Sequence, residues 1–403
     1  MRAVTGSQAS RTRRVLASVT LVSGAGQIID FALPLFVAEA LGFSAIQTGE
    51  LLAAGLATAS LVRPLAGAAA DRWDRQSLAA FSAIVLSGAY VLLAVGDSFG
   101  TALLAVTSAR VASTLLWVAL RAMAAGRSST EPRASWRMLH AEDLGSWVVL
   151  VPTVGVVSLI GYTSGVVTAA GCAVGAAAIL VMVRLGGVAP PAESLPIREL
   201  GLADILSGRA RTLLRAIRPV LVGVTLIGVG DGALALVLVM HLQRDLGFGP
   251  LAIACMAIPG SLAFSVASEN VRRLTTRHGR RRVIVYATAA HLVCAIGLMA
   301  AREPTMIAAL WALSAIGLTA LLPIEQTLIA SAAGTRLVGR AFGVYETVSL
   351  LGAAVGVLAA GFLFAHWPWP AVCLVCAGAM VAGGTTLAAR LPVTRRPRKA
   401  PAR

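Results

Sequence analysis

Polar and charged residues divide this chain into twelve long apolar stretches, beginning near Val15, Ile46, Leu78, Gly100, Asp143, Gly165, Val220, Gly249, Val283, Met306, Arg340 and Ala371. Each is about the 20 residues that an α-helix needs to cross roughly 30 Å of hydrocarbon. The stretches form two related sets of six. Leu41-Gly42-Phe43 recurs as Leu246-Gly247-Phe248, and Asp71-Arg72-Trp73-Asp74-Arg75-Gln76 aligns with Thr276-Arg277-His278-Gly279-Arg280-Arg281. The pattern predicts an all-α integral membrane protein of twelve transmembrane helices in two pseudo-symmetric six-helix bundles. Chains duplicated in this way are built as carriers, with a binding site near the middle of the membrane where the halves meet.

The expected organisation is a first bundle over 1–187, a cytoplasmic linker over 188–217, a second bundle over 218–390 and a basic tail over 391–403. The linker carries Pro190, Pro191 and Pro196, then an amphipathic stretch from Ile197 to Ile217 with Arg209, Arg211 and Arg215. That stretch is suited to lie on a membrane surface, where arginine meets anionic lipid. The apolar run after Arg11, Arg13 and Arg14 exceeds the length of a signal-peptide core, so the first span is expected to be retained.

With 57% hydrophobic and only 13% charged residues, the chain is not an ordinary soluble domain, in which about a quarter of residues are charged. Its net charge of +16 would suggest nucleic acid in a soluble protein. Here the arginines sit in alternate loops instead. One set holds Arg72 and Arg75, then Arg121 through Arg137, Arg184 through Arg218, Arg272 through Arg282, Arg336 and Arg340, and the tail from Arg390, whereas the other holds Arg244 and Arg302. Basic loops resist translocation, so both termini are expected in the cytoplasm, with the protein multi-pass in the inner (plasma) membrane. Lipid, a small-molecule substrate and protons are the expected partners, the expected state is monomeric, and no nucleic acid is implied. The five cysteines all fall inside apolar runs and read as packing residues. No phosphate-binding loop of the Gly-x-x-x-x-Gly-Lys-Ser/Thr type is present, so an ion gradient is the expected energy source. With no catalytic constellation at either membrane face, the chain does not read as an enzyme, and no cofactor or metal is called for.

The informative residues are charges inside the spans, because an ionised group at the bilayer centre costs about 2.5–3.5 kcal/mol even on lenient scales. Asp30 lies about fifteen residues, or ~22 Å, into the first span, and Asp231 about eleven residues, or ~16 Å, into the seventh. Counted back from the repeated Leu-Gly-Phe, Asp30 precedes Leu41 by 11 positions and Asp231 precedes Leu246 by 15. The two acids therefore lie one turn apart on similar faces of equivalent helices. Asp30 reads either as a proton-titrating or cation-binding carboxylate or as a packing acid paired with Arg110 in the fourth span. Asp231, beside Gly228, Gly230 and Gly232, reads as a second such carboxylate or as an acid next to a helix break. Gln27, one turn before Asp30, is placed to hydrogen-bond a substrate, and Pro34, one turn beyond, to distort the helix. Glu325, close to the cytoplasmic end of the tenth span, and Glu346, near the same end of the eleventh, read as inner-gate residues. Arg63 and Glu50 read as structural or solvated, and His291 as a packed histidine rather than a proton relay.

The loop after the second span, Arg63-Pro64-Leu65-Ala66-Gly67-Ala68-Ala69-Ala70-Asp71-Arg72-Trp73-Asp74-Arg75-Gln76, resembles the signature loop of the major facilitator superfamily. Gly67, Asp71, Arg72 and Arg75 match that pattern, while Asp74 stands for its glycine and Gln76 for its last basic residue. The resemblance implies a cytoplasmic gate in which Gly67 permits close helix approach and Asp71 pairs with arginines or with a helix N-terminus, with Arg340 and Glu346 as facing partners. In the second copy Gly279, Arg280 and Arg281 are kept, but Thr276 replaces the acid. Arg110 is similar to the family's fourth-helix arginine linked to proton transfer, although Ser113 and Thr114 follow it. Pro152-Thr153-Val154-Gly155 is similar to half of the family's exporter motif, with Val151 and Val156 where glycines are expected. The implied function is a secondary active transporter that exports a drug-like compound or secondary metabolite by proton antiport and alternating access. Proton-coupled uptake of a metabolite is the alternative, and a non-transporting membrane sensor a further one.

The topology has a direct check. Thiols introduced by Ala3→Cys and Ala402→Cys should both resist a membrane-impermeant maleimide in intact cells and both react once cells are permeabilised. Labelling of one alone in intact cells would rule out an even number of crossings.

Overall fold

The computed structural model describes residues 2–128, 134–185 and 208–389, and every regular element among them is helical. The first six helices are α1 (Arg2–Glu39), α2 (Ala45–Arg72), α3 (Arg75–Val95), α4 (Phe99–Ser128), α5 and α6 (Tyr162–Leu185). Helix α5 starts as Ala134–Gly145, widens into a π-helical turn over Ser146–Leu150 and ends as Val151–Ile160. In the second half α7 (Gly208–Met240) runs into a π-helical turn over His241–Asp245, followed by α8 (Pro250–His278), α9 (Arg280–Ala300), the long element Pro304–His366 and α12 (Trp369–Ala389). Of the expected linker, residues 186–207 lie outside the described residues, and 208–217 are continuous with α7. The basic tail, 391–403, also lies outside them.

Pro304–His366 is helical throughout, yet it is two crossings. Tyr345 donates its hydroxyl to Glu325 Oε2 at 3.0 Å across a separation of 20 residues, whereas a straight helix would set them ~30 Å apart. The chain therefore reverses between α10 (Pro304–Ser331) and α11 (Ala341–His366). Among the described residues, 11 helices are long and apolar enough to cross a membrane. The eighth expected crossing is α8, whose described apolar part, Pro250–Ala263, is shorter, but the helix has 29 residues and so reaches ~43 Å. The twelve sequence stretches thus correspond to α1–α12.

The duplication is visible in how the helices stop. Gly42 and Gly247 take left-handed backbone angles, with φ of 66° and 67°, and the amides of Phe43 and Phe248 each donate to a carbonyl six residues back, Val37 and Leu242, at 2.9 Å. Both Leu-Gly-Phe copies are the same glycine-based helix stop, in which the glycine frees the chain to fold back on the last carbonyls. Helix starts differ. Ser44 and Gln47 form a reciprocal capping box at α2, and Asp74 accepts from the Ser77 amide at 2.8 Å at α3. The aligned residue in the second half, Gly279, starts α9 at φ 83° with no side-chain cap. Asp74 thus stands in the signature glycine's place as a helix cap.

The chain forms two compact units. The first contains α1–α6 together with Ala235–Ala254 and Ala353–His366. Within it α1 packs on α5 and α6, α3 on α4 and α6, and α2 on α4. In lipid, apolar burial gives helices little reason to associate, so close backbone approach has to hold them. Gly145 of α5 provides it, set against the Thr20 carbonyl and Gly24 of α1. The second unit contains most of the remaining helices. There Gly223 and Gly230 of α7 receive Leu387 and Met380 of α12, and Gly384 of α12 receives Thr288 of α9. Val224, Ile227, Ile284, Leu321, Ile324 and Leu387 form its core.

Partial burial alone would lift the Asp74 carboxyl, but hydrogen bonds from the Ser77 hydroxyl and from the Ser77 and Gln76 amides outweigh it and hold the group below the usual aspartate value. A depressed folded value means that this contribution is present above the unfolded aspartate pKa and is lost as pH falls through the folded one. Asp74→Ala should therefore cost about 1 kcal/mol near neutral pH and progressively less on acidification, while Asp74→Ser should cost little, measured as thermal unfolding in detergent. Equal losses for both variants at all pH would mean that the cap does not act this way.

Candidate functional site

Four helices of the first unit converge on Asp30. Arg110 of α4 donates from Nη2 to Asp30 Oδ1 of α1 at 2.6 Å, and the side chains remain 28% and 53% exposed respectively. Charged residues in membrane-spanning segments characteristically face the bundle interior or a water-filled cavity rather than lipid. Tyr90 of α3 is buried beside both charges. Gly55 of α2 makes the room, since a Cβ there would lie 2.9 Å from Val106 and 3.3 Å from the Arg110 Cγ. Pro34 stays within α1. Lacking an N–H, it leaves the carbonyl of the residue four back, Asp30 itself, without its helical donor. A carboxylate and a freed carbonyl therefore meet at one residue. Gln27 is exposed one turn away on the same face.

Asp30 is paired with Arg110, and its side chain keeps exposed surface. Breaking such a pair by removing one partner should cost less than the ~3–5 kcal/mol of a fully buried one, because solvent screens it. Asp231 has separate surroundings in the second unit, in electrostatic reach of the imidazole of His291 on α9.

The residues read as gates have diverse surroundings. A Cβ at Gly67 would meet nothing within 4 Å, and Leu61 and Leu65 on the same part of α2 are exposed. The side chains of Asp71, Arg72 and Arg340 lie outside the described residues. Arg75 donates to the Ala122 carbonyl of α4 at 3.2 Å, and Glu346 is exposed. Glu325 is buried in the core of the second unit, bonded to Tyr345. On α5, Pro152 is exposed and a Cβ at Gly155 would meet nothing, whereas the close contact of that helix is made at Gly145.

At the arginine-poor end the first unit is fastened. Gln243, just past α7, donates to the Leu35 carbonyl and to Glu39 Oε2 at 3.3 Å each, and Arg244 donates to the Phe43 carbonyl at 2.9 Å. Gly49 of α2 packs directly on Gly361 of α11. Sequence reasoning passed over Gly49, Gly55, Tyr90 and Gln243. None carries a motif, and only the fold brings each to its partner.

Comparison with known proteins fits this geometry. The chain superposes on the crystal structure of the nucleoside transporter NupG with a TM-score of 0.77 at 14% identity, over 94% of this chain and 98% of that one. The peptide transporter POT in complex with sulfate gives 0.72 at 11% identity, over 94% of each chain. Residues 220–403 match the family model described as Major Facilitator Superfamily. That part of the chain is similar to the Major Facilitator Superfamily. A third structure, a bacterial homolog of the human lysosomal transporter Spinster in an inward-facing, unoccupied conformation, gives a TM-score of 0.65 at 15% identity over 94% of each chain. Among curated relatives, the puromycin resistance protein pur8 of Streptomyces alboniger is 33% identical over 155 residues, 37% of this chain. The match spans 30% of that relative's length.

Gly55→Leu should push Arg110 away from Asp30 and lower the unfolding temperature. Combining it with Asp30→Asn should add little further loss, since residues acting through one contact are not additive. Fully additive losses would show that Gly55 does not act through the pair.

Proposed function

We propose that this chain is a secondary active transporter of the Major Facilitator Superfamily that exports a small drug-like compound or secondary metabolite in exchange for protons. The observation that carries this reading is the Asp30–Arg110 pair, 2.6 Å long and open on one side inside the first unit. A proton on Asp30 cancels the charge that holds Arg110, and a cationic substrate can take the place of that proton. Proton and substrate then compete for one carboxylate, which is the requirement for exchange. Gln27 on the same face supplies a hydrogen bond, and the freed carbonyl of Asp30 a second acceptor. Access alternates as the two halves rock, with the arginine-rich face of the membrane on the cytoplasmic side.

Export is supported by the partial fifth-helix motif at Pro152 and Gly155 and by the similarity to a puromycin resistance protein. Puromycin, the compound in that relative's name, is a suitable first probe. In everted membrane vesicles with an acid interior, puromycin should accumulate and should leak out when an uncoupler is added. Asp30→Asn should lower that accumulation by at least about tenfold, a loss of ~1.4 kcal/mol or more. Undiminished proton-driven accumulation in Asp30→Asn would remove Asp30 from the mechanism. If a panel of other amphiphilic amines also fails to move in the wild type, the export reading falls.

A further inference from the structure

Gln243 and Arg244 belong to the second half of the sequence, yet their hydrogen bonds go to the first. Gln243 Nε2 donates to the Leu35 carbonyl and to Glu39 Oε2 at 3.3 Å each, and Arg244 Nη2 donates to the Phe43 carbonyl at 2.9 Å. The acceptors lie in the last turns of α1 and in the helix stop that follows it. The offset that aligns Leu41 with Leu246 also aligns Ala38 with Gln243 and Glu39 with Arg244. One copy therefore presents an acid and carbonyls, the other an amide and a guanidinium. At this position the duplicated ends are complementary rather than alike.

Glycines make a second contact at the same end. A Cβ at Gly49 of α2 would lie 2.9 Å from the Val357 carbonyl oxygen and 3.1 Å from Gly361 Cα of α11, and one at Gly361 would lie 3.1 Å from Ile46 Cα. Backbone there lies against backbone. The contact between α1 and α5 is built otherwise, with Val149 of α5 filling the space at Gly24 of α1. Glu39 and Arg244 are exposed and Gln243 is half-buried, so water can replace each of these hydrogen bonds as it breaks. A flat backbone contact and water-replaceable hydrogen bonds separate at small cost, which suits a contact that opens and closes.

We propose that Gln243 and Arg244 form the outer gate of this carrier, a polar clasp on Leu35, Glu39 and Phe43 whose release opens the arginine-poor end toward Asp30. This rests on the transport reading given above and assigns the residues that close one side of it. Gln27 precedes Glu39 by 12 positions, or ~18 Å along α1. A solute entering from the arginine-poor end passes the clasp before it meets Gln27 and Asp30. Gly49 and Gly361 supply the surface on which the closed clasp seats, and the charge complement of the two copies fixes its register.

The test reads access directly and needs no substrate. A membrane-impermeant maleimide is added to intact cells carrying the reporter Gln27→Cys, and labelling is taken above that of the protein with its five native cysteines alone. Gln243→Glu sets a second acid against Glu39 and should speed labelling by about tenfold, the order of one hydrogen bond lost. Adding Glu39→Gln returns a donor to the contact and should bring the rate back toward that of the reporter, which a misfolded protein would not do. Gly361→Leu wedges the backbone contact and should also speed labelling. Unchanged labelling in both Gln243→Glu and Gly361→Leu overturns the proposal, and so does a fast rate in Gln243→Glu that Glu39→Gln fails to slow. Should Gln243→Glu not reach the membrane, Arg244→Gln, which removes the bond to Phe43, takes its place with the same expected direction. Absent proton-driven flux alongside labelling that follows the clasp would strike the transport reading and leave the clasp standing as the control of access.

Discussion

Inside a bilayer no water is at hand to satisfy a polar group, and that constraint shapes every level of this protein. Backbone amides are satisfied within each helix, so the described crossings are helical. Where proline removes a donor, as Pro34 does, the orphaned carbonyl falls at Asp30 rather than on a lipid-facing turn. Side-chain charges obey the same rule. Asp30 is answered by Arg110 from a helix 80 residues away in sequence, and Glu325 by the hydroxyl of Tyr345. Apolar contact with lipid costs nothing, so the helices are held by small residues that let them come close, such as Gly145 of α5 against α1 and Gly230 of α7 against α12.

Much of this was legible in the sequence, for definite reasons. A span needs a run of apolar residues that few other structures tolerate, so the crossings stand out. The duplicated Leu-Gly-Phe was readable because a helix stop of this kind demands glycine at one position, and both copies adopt it. The partner of Asp30 was within reach because an acid inside a span needs a base and Arg110 was one of few candidates. What stayed hidden was pairing among ordinary residues. Gly55 is one small residue among many in α2, and its task is set by the guanidinium that passes it. Glu325 looked like a gate residue by its position near a helix end, yet its place in the core follows from the reversal between α10 and α11. The unpartnered Nε2 of His291 follows from how the fold packs its ring, which the sequence does not show.

Helix α2 is covered unevenly. Near its start Gly49 lies against Gly361, and the neighbouring ends of α1 and α7 are tied by Gln243 and Arg244. Toward its other end, Leu61, Leu65 and Gly67 have no close cover among the described residues. The signature loop, Arg63 to Gln76, overlaps that stretch. The tight end relies on backbone contact and on hydrogen bonds from Gln243 and Arg244.

The matching glycine stops at Gly42 and Gly247 also act as depth markers. Each ends its helix at the same kind of boundary, and Asp231 precedes its stop by four more positions than Asp30 does. One turn is ~5.4 Å, close to a fifth of a ~30 Å hydrocarbon layer. A unit charge carried that distance through a potential of ~100 mV changes in energy by about 0.4 kcal/mol. A charge placed one turn further along either helix would therefore sample a different fraction of the transmembrane voltage.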